Sequence, residues 1–434
     1  ASAQAAAPAW RALPGAARGE VLRKAARLLE ARAGEIAETM TREMGKTLPE
    51  ARGEVMRGVA ILHYYAAEGM HATGEHLPSS DGRSLLYTRK KPLGTVALIT
   101  PWNFPVAIPL WKLAPALVYG NTAVLKPASN ASVTAALVVE TLVEAGMPAG
   151  VVNLVHGPGG ELGAALLGHP AIEGVSFTGS NAVGRTIGEL AARRGIKCQL
   201  EMGGKNAVVV LADANLDKAA DAVVSGAMKS TGQKCTATSK VIVERGVKAR
   251  FTELLLERLA AITPGDGLAE GTYFGPLATA RQRDTVLAAV KQGQAEGARL
   301  LLGGGVPEEE ALRGGHFVQP ALFDGVTPQM QLATEEIFGP VLGIMEADDL
   351  TEAVALANGT AYGLSAAIFT SSLESAMAFV EGAEAGMIKV NAETAGVEYH
   401  APFGGLKASS SHSREQGRAA MDFFTHTQTI SISV

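Results

Sequence analysis

The sequence predicts an α/β fold of doubly wound parallel sheets, and three observations carry that expectation. From Gly94 onward, strand and helix signals alternate as strand, turn, helix. The turns after the strands collect Gly, Pro, Asn and Ser, at the strand ends where such sheets bind ligands. Hydrophobic residues make up 47% and charged residues 19%, with 50 glycines spread throughout, which fits a loop-rich globular chain rather than a disordered or fibrous one. At 434 residues the chain is about three times the usual domain length, so two or more domains are expected.

Residues 10–76 read as helices, because Leu, Ile, Met and Ala recur at helical spacing through 21–33, 35–44 and 51–69. The stretch 85–91 alternates apolar and basic residues, as a solvent-facing strand or hairpin does, either at a subunit contact or as a plain edge. Strands are expected at 95–99, 123–126, 151–155, 174–177 and 197–200, with helices near 108–119, 132–146, 160–168 and 181–193. A second α/β series follows, with strands at 207–211, 241–244, 299–302, 341–345, 364–369 and 387–390. Its helices fall at 216–227, 247–262, 281–296, 351–357 and 373–383. Residues 426–434 alternate Thr, Gln and Ser with Ile and Val and read as a final strand.

Composition excludes several function classes. The net charge is −5 and no basic stripe is present, which argues against a nucleic-acid partner. Of the two cysteines, Cys198 and Cys235, neither belongs to a CxxC or Cys/His cluster, so neither a disulfide framework nor a metal site is expected, and a reducing, cytoplasmic compartment is. The richest apolar stretch, 96–119, is broken by prolines, Asn103 and Lys112, so no membrane span is expected. The alanine-rich start lacks the basic residue and apolar run of a secretion signal.

The chemistry is organised around Cys235, in a short loop of small residues between a helix and a strand. Gly232 is placed to cap that helix, and Lys234 is expected to favour the nucleophilic thiolate. Four turns at strand ends add candidates. Pro101-Trp-Asn-Phe-Pro105 presents the Asn103 amide, able to donate to an oxyanion. In Lys126-Pro-Ala-Ser129 the lysine can reach ribose hydroxyls or a phosphate, and a small neutral Ser129 leaves room for a 2′-phosphate that a Glu would repel. Phe177-Thr-Gly-Ser180 runs into a helix whose free N–H groups suit a pyrophosphate. Glu201-Met-Gly-Gly-Lys205 offers a carboxylate that can act as general base for a water, if the site is dry enough to lift its pKa. Each has a structural reading too: a turn-forming Asn, a solvated Lys, a capping Glu, a plain loop cysteine.

Together with Gly232-Gln-Lys-Cys235, Glu336-Ile-Phe-Gly-Pro340 and Pro402-Phe-Gly-Gly405, these motifs resemble the NAD(P)-dependent aldehyde dehydrogenase superfamily, in order and across nearly the whole chain. The resemblance implies a Rossmann-type cofactor domain (1–79 and 93–204), an α/β catalytic domain (205–423) and a small β oligomerisation arm (80–92 and 424–434), so a homodimer or homotetramer. It implies Cys235 as nucleophile, Glu201 as base, Asn103 with the Cys235 N–H as oxyanion hole, and Lys112 as a lysine near the site. Thr100, Trp102, Lys126, Ser129, Gly159, Phe177, Gly179, Ser180, Glu336 and Phe338 would hold NAD or NADP, and Phe104, Trp111 and Phe403 would line the aldehyde tunnel. Family members usually open with strands ahead of the first long helix, where this chain begins.

Within that superfamily, the stretches 228–239 and 399–407 look most like α-ketoglutaric semialdehyde (2,5-dioxopentanoate) dehydrogenases, with succinic semialdehyde dehydrogenases next. Those enzymes use arginines for the substrate carboxylate where this chain has Trp111 and Lys229, so Lys229 reads either as the cation for a carboxylated aldehyde or as a solvated lysine favoured by the helix-end dipole. Glu201 favours water over coenzyme A as acyl acceptor, and the intact set of Cys235, Glu201 and Asn103 disfavours a non-catalytic scaffold.

Overall fold

The computed structural model describes residues 1–71 and 73–433. Ala72 and Val434, the last residue of the expected final strand, lie outside the described residues.

Five parallel strands form one sheet in the spatial order Val152–Leu154, Thr122–Lys126, Thr95–Ile99, Ile172–Thr178, Lys197–Glu201. The first of these strands along the chain is the central one, and every residue of Thr95–Ile99 is buried. Its successors run outward on one side before the chain returns to the other, so the order reverses between Thr95–Ile99 and Ile172–Thr178. That reversal opens a crevice at their carboxyl ends. Helix Ala107–Val118 is buried along its whole length, between this sheet and the helices Gly15–Ala31 and Leu48–Glu68. Leu48–Glu68 begins with a capping box, in which Thr47 and Glu50 satisfy each other's backbone N–H groups.

A second sheet has seven strands, in the order Arg299–Gly303, Ala321–Asp324, Val341–Ala347, Thr238–Glu244, Asn206–Val210, Ser365–Phe369, Met387–Val390. All neighbours are parallel except the edge pair Arg299–Gly303 and Ala321–Asp324. The chain passes from the last strand of the first sheet to the first of the second through residues 202–205 alone. That short crossing sets the carboxyl-end turns of the first sheet against the amino ends of Asn206–Val210 and its parallel neighbour Thr238–Glu244.

Leu85–Pro92 pairs antiparallel with Thr425–Ile432 and with the short strand His76–Leu77. The helical reading of 10–76 overshoots, since helix Leu48–Glu68 ends at Glu68 and His76–Leu77 is a strand, and several short elements escape the periodicity reading, two of them instructive. Helix Ser2–Ala12 is rich in alanine and carries Pro8, so it shows no apolar stripe; Ala3 and Trp10 are its buried residues, the Trp10 indole donating to the Leu117 carbonyl at 3.1 Å. Strand Ala321–Asp324 has only four residues and is defined by its partners on both sides.

Candidate active site

Helix Leu216–Met228 starts on an Asn215 cap, the side chain accepting from Lys218 N at 3.0 Å. It does not end on Gly232. Lys229 turns extended at once, and Ser230, Thr231 and Gly232 follow with φ of 54°, 57° and 67°. Left-handed backbone at two non-glycine residues costs roughly 1–3 kcal/mol each. Neighbours hold it: Ser230 N and Oγ donate to Glu50 Oε1 at 2.7 and 3.0 Å, and Thr231 Oγ1 donates to the Gly275 carbonyl at 2.9 Å. At Gly232 a side chain would strike the Gly339 carbonyl, so this glycine serves a close approach as well as a positive φ. Beyond the turn, Asn206 Nδ2 donates to the carbonyls of Cys235 and Ala237, both at 2.8 Å, while its Oδ1 accepts from Ser365 N at 3.0 Å. The thiol loop is therefore fixed on both flanks.

Asn103 is buried, and its Nδ2 donates to the Gln233 carbonyl at 3.1 Å. A primary amide has a second N–H, which is left for the cavity. Beneath it, Lys46 Nζ donates to the Asn103 carbonyl at 2.7 Å, lies 4.2 Å from the Phe104 ring centroid and ion-pairs with Glu54. Glu54 Oε1 in turn accepts from Val106 N and Ala107 N at 2.8 and 3.0 Å. A buried ion pair with every partner satisfied anchors the turn that carries Asn103.

Cys235 lines a cavity of about 290 Å³ with Trp102, Asn103, Thr178, Gly179, Ser180, Gly203, Glu336 and Phe338. Desolvation, then the charges of Glu336 and Glu201, push its thiol up to about 12. This overturns the expected role of Lys234. That side chain is buried with its own pKa lowered by desolvation, and the charges acting on it are those of Glu393, Glu50, Lys229 and Lys46. Successive side chains in an irregular loop diverge, so sequence adjacency gave no proximity to the sulfur.

Glu201 is buried at the end of strand Lys197–Glu201. Desolvation and the Glu415 carboxylate push its pKa well above the usual carboxylate range, against the Ser410 hydrogen bond, Lys112 and Arg414. Its Oε2 accepts from the Ser410 hydroxyl at 2.5 Å, and its Oε1 has no partner among the described residues. Lys112 does not reach the cavity. It is buried behind Glu201, ion-paired with Glu415 and donating to Ser176 Oγ at 2.8 Å.

The crevice fits a dinucleotide. Helix Asn181–Arg194 opens at Ser180 with no side-chain cap, leaving its first N–H groups for an anion, and Thr178 Oγ1 in the cavity wall is an orphan. Glu336 Oε1 accepts from Gly204 N at 3.0 Å, and a side chain at Gly203 would collide with the Glu336 carboxylate. Burial raises Glu336 to about 7. Phe338, at φ 58°, meets Trp102 edge to face at 5.7 Å. Phe177 is buried beneath Gly179, and Thr100 is buried, its Oγ1 without a partner among the described residues. Lys126, Ser129 and Gly159 lie outside the cavity at the thiol; Lys126 Nζ donates to the Pro127 carbonyl at 2.7 Å, beside Gly159.

Of the expected aldehyde-side residues, Trp111 stacks obliquely on Phe403 at 5.3 Å, both buried, and Phe104 lies beside Asn103. Lys229 is exposed at the helix end. Sequence reasoning did not find Ser410, Glu415, Asn206, Lys46 or Glu54. Ser410 and Glu415 are more than two hundred residues from Glu201 and carry no local motif, whereas Asn206, immediately after Glu201-Met-Gly-Gly-Lys205, could have been flagged by its position. Among the described residues no group of three metal-ligating side chains occurs, and no helix is long and apolar enough to cross a membrane.

Residues 1–430 match the profile of the "Aldehyde dehydrogenase family". The chain is 55% identical over 422 residues to the α-ketoglutaric semialdehyde dehydrogenase of Bacillus subtilis (strain 168), covering 97% of this chain and 86% of that protein. It is 46% identical over 422 residues to an α-ketoglutarate semialdehyde dehydrogenase of Haloferax volcanii, covering 97% and 87%. Its structure superposes on that of an NAD-dependent aldehyde dehydrogenase from Sinorhizobium meliloti with a TM-score of 0.97 at 36% identity, covering 100% of this chain and 85% of that one.

Proposed function

The chain belongs to the aldehyde dehydrogenase family, and from that premise we propose that it oxidises a short ω-semialdehyde bearing a carboxylate, 2,5-dioxopentanoate, to the dicarboxylic acid with NAD or NADP. One observation carries the reading: Cys235, Asn103 and Glu336 share a single cavity, and the charge of the buried Glu201 reaches the same thiol.

In this mechanism Cys235 Sγ, as thiolate, adds to the aldehyde carbon. The second Asn103 N–H and the Cys235 backbone N–H face the oxygen as it becomes an alkoxide, each donor being worth roughly 3 kcal/mol. The nicotinamide, when bound, supplies the hydride acceptor; of the cavity's residues, Glu336 would hold the ribose, Phe338 and Trp102 would flank the ring, and Gly179 and Ser180 would take the pyrophosphate. Loss of hydride leaves a thioester on Cys235. Glu201 then takes a proton from a water, whose oxygen adds to the thioester carbonyl and expels the sulfur, releasing the acid. Its raised pKa makes the ionised form a stronger base than a solvated carboxylate.

The substrate assignment draws on the relatives' activity, and Lys229 is available at the surface to attract the distant carboxylate. Ser129, exposed and neutral, leaves room for NADP as well as NAD. A cytoplasmic homodimer or homotetramer, assembled through the arm of Leu85–Pro92 and Thr425–Ile432, completes the reading. The test is the initial rate of reduced-nicotinamide formation with 2,5-dioxopentanoate, succinic semialdehyde and pentanal, each with NAD and NADP. A clear kcat/KM preference for the first is expected, and a preference for pentanal would overturn the substrate assignment.

A further inference from the structure

The thiol and the amide that is to face its alkoxide stand on segments far apart in the chain, and one helix touches both. Helix Leu48–Glu68 is docked at its start on the loop that follows helix Arg245–Ala260, Leu48 N donating to the Gly267 carbonyl at 2.8 Å. The capping box pins Glu50 by one oxygen, Oε2 accepting from Thr47 Oγ1 at 2.9 Å, which presents Oε1 to Ser230 N and Oγ beside the thiol loop. Four residues on, Glu54 is buried with both oxygens occupied, Oε1 by Val106 N and Ala107 N and Oε2 by Lys46. Lys46 in turn donates to the Asn103 carbonyl. Gly58, another four on, lets the helix rest directly on helix Ala107–Val118 and its entry: a Cβ there would lie 2.8 Å from Leu110 Cδ1 and 2.9 Å from Val106 Cγ1.

Positions i and i+4 of a helix share a face, about 5–6 Å apart, and the internal hydrogen bonds make that spacing stiff. The distance between the Ser230 turn and the Asn103 turn is therefore counted out in residues of this helix. Stability alone does not call for these groups, because a buried ion pair commonly holds a fold no better than apolar side chains of the same volume. What the carboxylates add is direction, since each hydrogen bond fixes one group on one of the two segments. An oxyanion donor needs that accuracy: it must lie roughly 2.7–3.1 Å from the developing oxygen, and a misplacement of about 1 Å can cost about 100-fold in rate.

We propose that Glu50 and Glu54 are positioning residues that set the spacing between the Cys235 sulfur and the Asn103 amide, with helix Leu48–Glu68 as the rigid spacer. The inference rests on Asn103 as the oxyanion donor of the mechanism above. Glu50 fixes the thiol side through the left-handed turn at Ser230. Glu54, with Lys46, fixes the amide side through the backbone of residues 103–107. Neither carboxylate lines the cavity at the thiol, so both act through the groups they hold.

Two rates separate positioning from mere stability: single-turnover formation of reduced nicotinamide from 2,5-dioxopentanoate and NAD, which needs thiol and amide together, and alkylation of Cys235 by iodoacetamide, which forms no oxyanion. Glu50→Gln and Glu54→Gln should each slow the first about 10- to 100-fold and leave the second within about threefold of wild type. Asn103→Ala should slow single turnover about 100-fold or more, and in that background either glutamate variant should cost less than about threefold further, because there is no donor left to misplace. Glu54→Gln strands the buried Lys46 charge; should it not fold, the double variant Lys46→Met with Glu54→Gln removes both charges and carries the same expectation. Undiminished losses in the Asn103→Ala background, single turnover and alkylation falling together, or single turnover unchanged in the glutamate variants would each overturn the inference. An Asn103→Ala enzyme with wild-type single turnover would instead defeat the oxyanion role on which it rests.

Discussion

The Glu201 carboxylate takes the Ser410 hydroxyl at 2.5 Å on one oxygen and, among the described residues, meets no donor on the other. One oxygen is held and the other is free to receive a proton, as a base aimed at a water requires. The hydroxyl also pulls the pKa of Glu201 down, against burial and the nearby Glu415, which both push it up.

Ser410→Ala should therefore raise the pKa of Glu201 further. A general base works in its ionised form, so the acid limb of the kcat profile should move to higher pH. At pH 7 kcat should fall about tenfold, with recovery in alkaline buffer. A limb that stays in place would show that Glu201 is not the titrating base.

Glu336 raises the Cys235 thiol through its charge, second only to desolvation. Glu336→Gln removes that charge, so the thiol pKa should fall and iodoacetamide should alkylate Cys235 about three- to tenfold faster at pH 8 in the cofactor-free enzyme. The same variant should raise KM for the cofactor, because Glu336 stands where the ribose would bind. Slower alkylation would contradict this electrostatic account.

Asn206 bonds two carbonyls of the thiol loop and one backbone N–H of strand Ser365–Phe369. Asn206→Ala leaves these groups buried and unpaired, at about 1–3 kcal/mol. We expect a lowered Tm and roughly a tenfold loss of kcat, both reversed in part by Asn206→Gln if the amide can still reach. A change in Tm without loss of kcat would confine Asn206 to stability.

The doubly wound architecture was legible because its strands are short apolar runs bounded by turn residues, and the four motif-bearing turns of the first sheet fall at its strands' carboxyl ends. The thiol loop itself was not. A glycine after a helical stripe reads as a C-cap, but Gly232 closes a left-handed turn whose first two residues, Ser230 and Thr231, are stabilised by Glu50 and Gly275 from distant segments. Lys234 was misread for the same reason: its neighbours in space are Glu393 and Glu50, not the sulfur. Residues that act through long-range contacts, such as Glu415 on Lys112 and Lys46 on Asn103, leave no periodic or spacing signal.

The covalent route is tested most directly by rapid mixing of Glu201→Gln with NAD and 2,5-dioxopentanoate. Without its base the thioester on Cys235 should form but not hydrolyse. The account predicts a burst of about one reduced nicotinamide per Cys235, then a steady state about 100-fold or more below wild type, with the acyl adduct visible on Cys235 by intact mass. Wild-type turnover with neither burst nor adduct would contradict it.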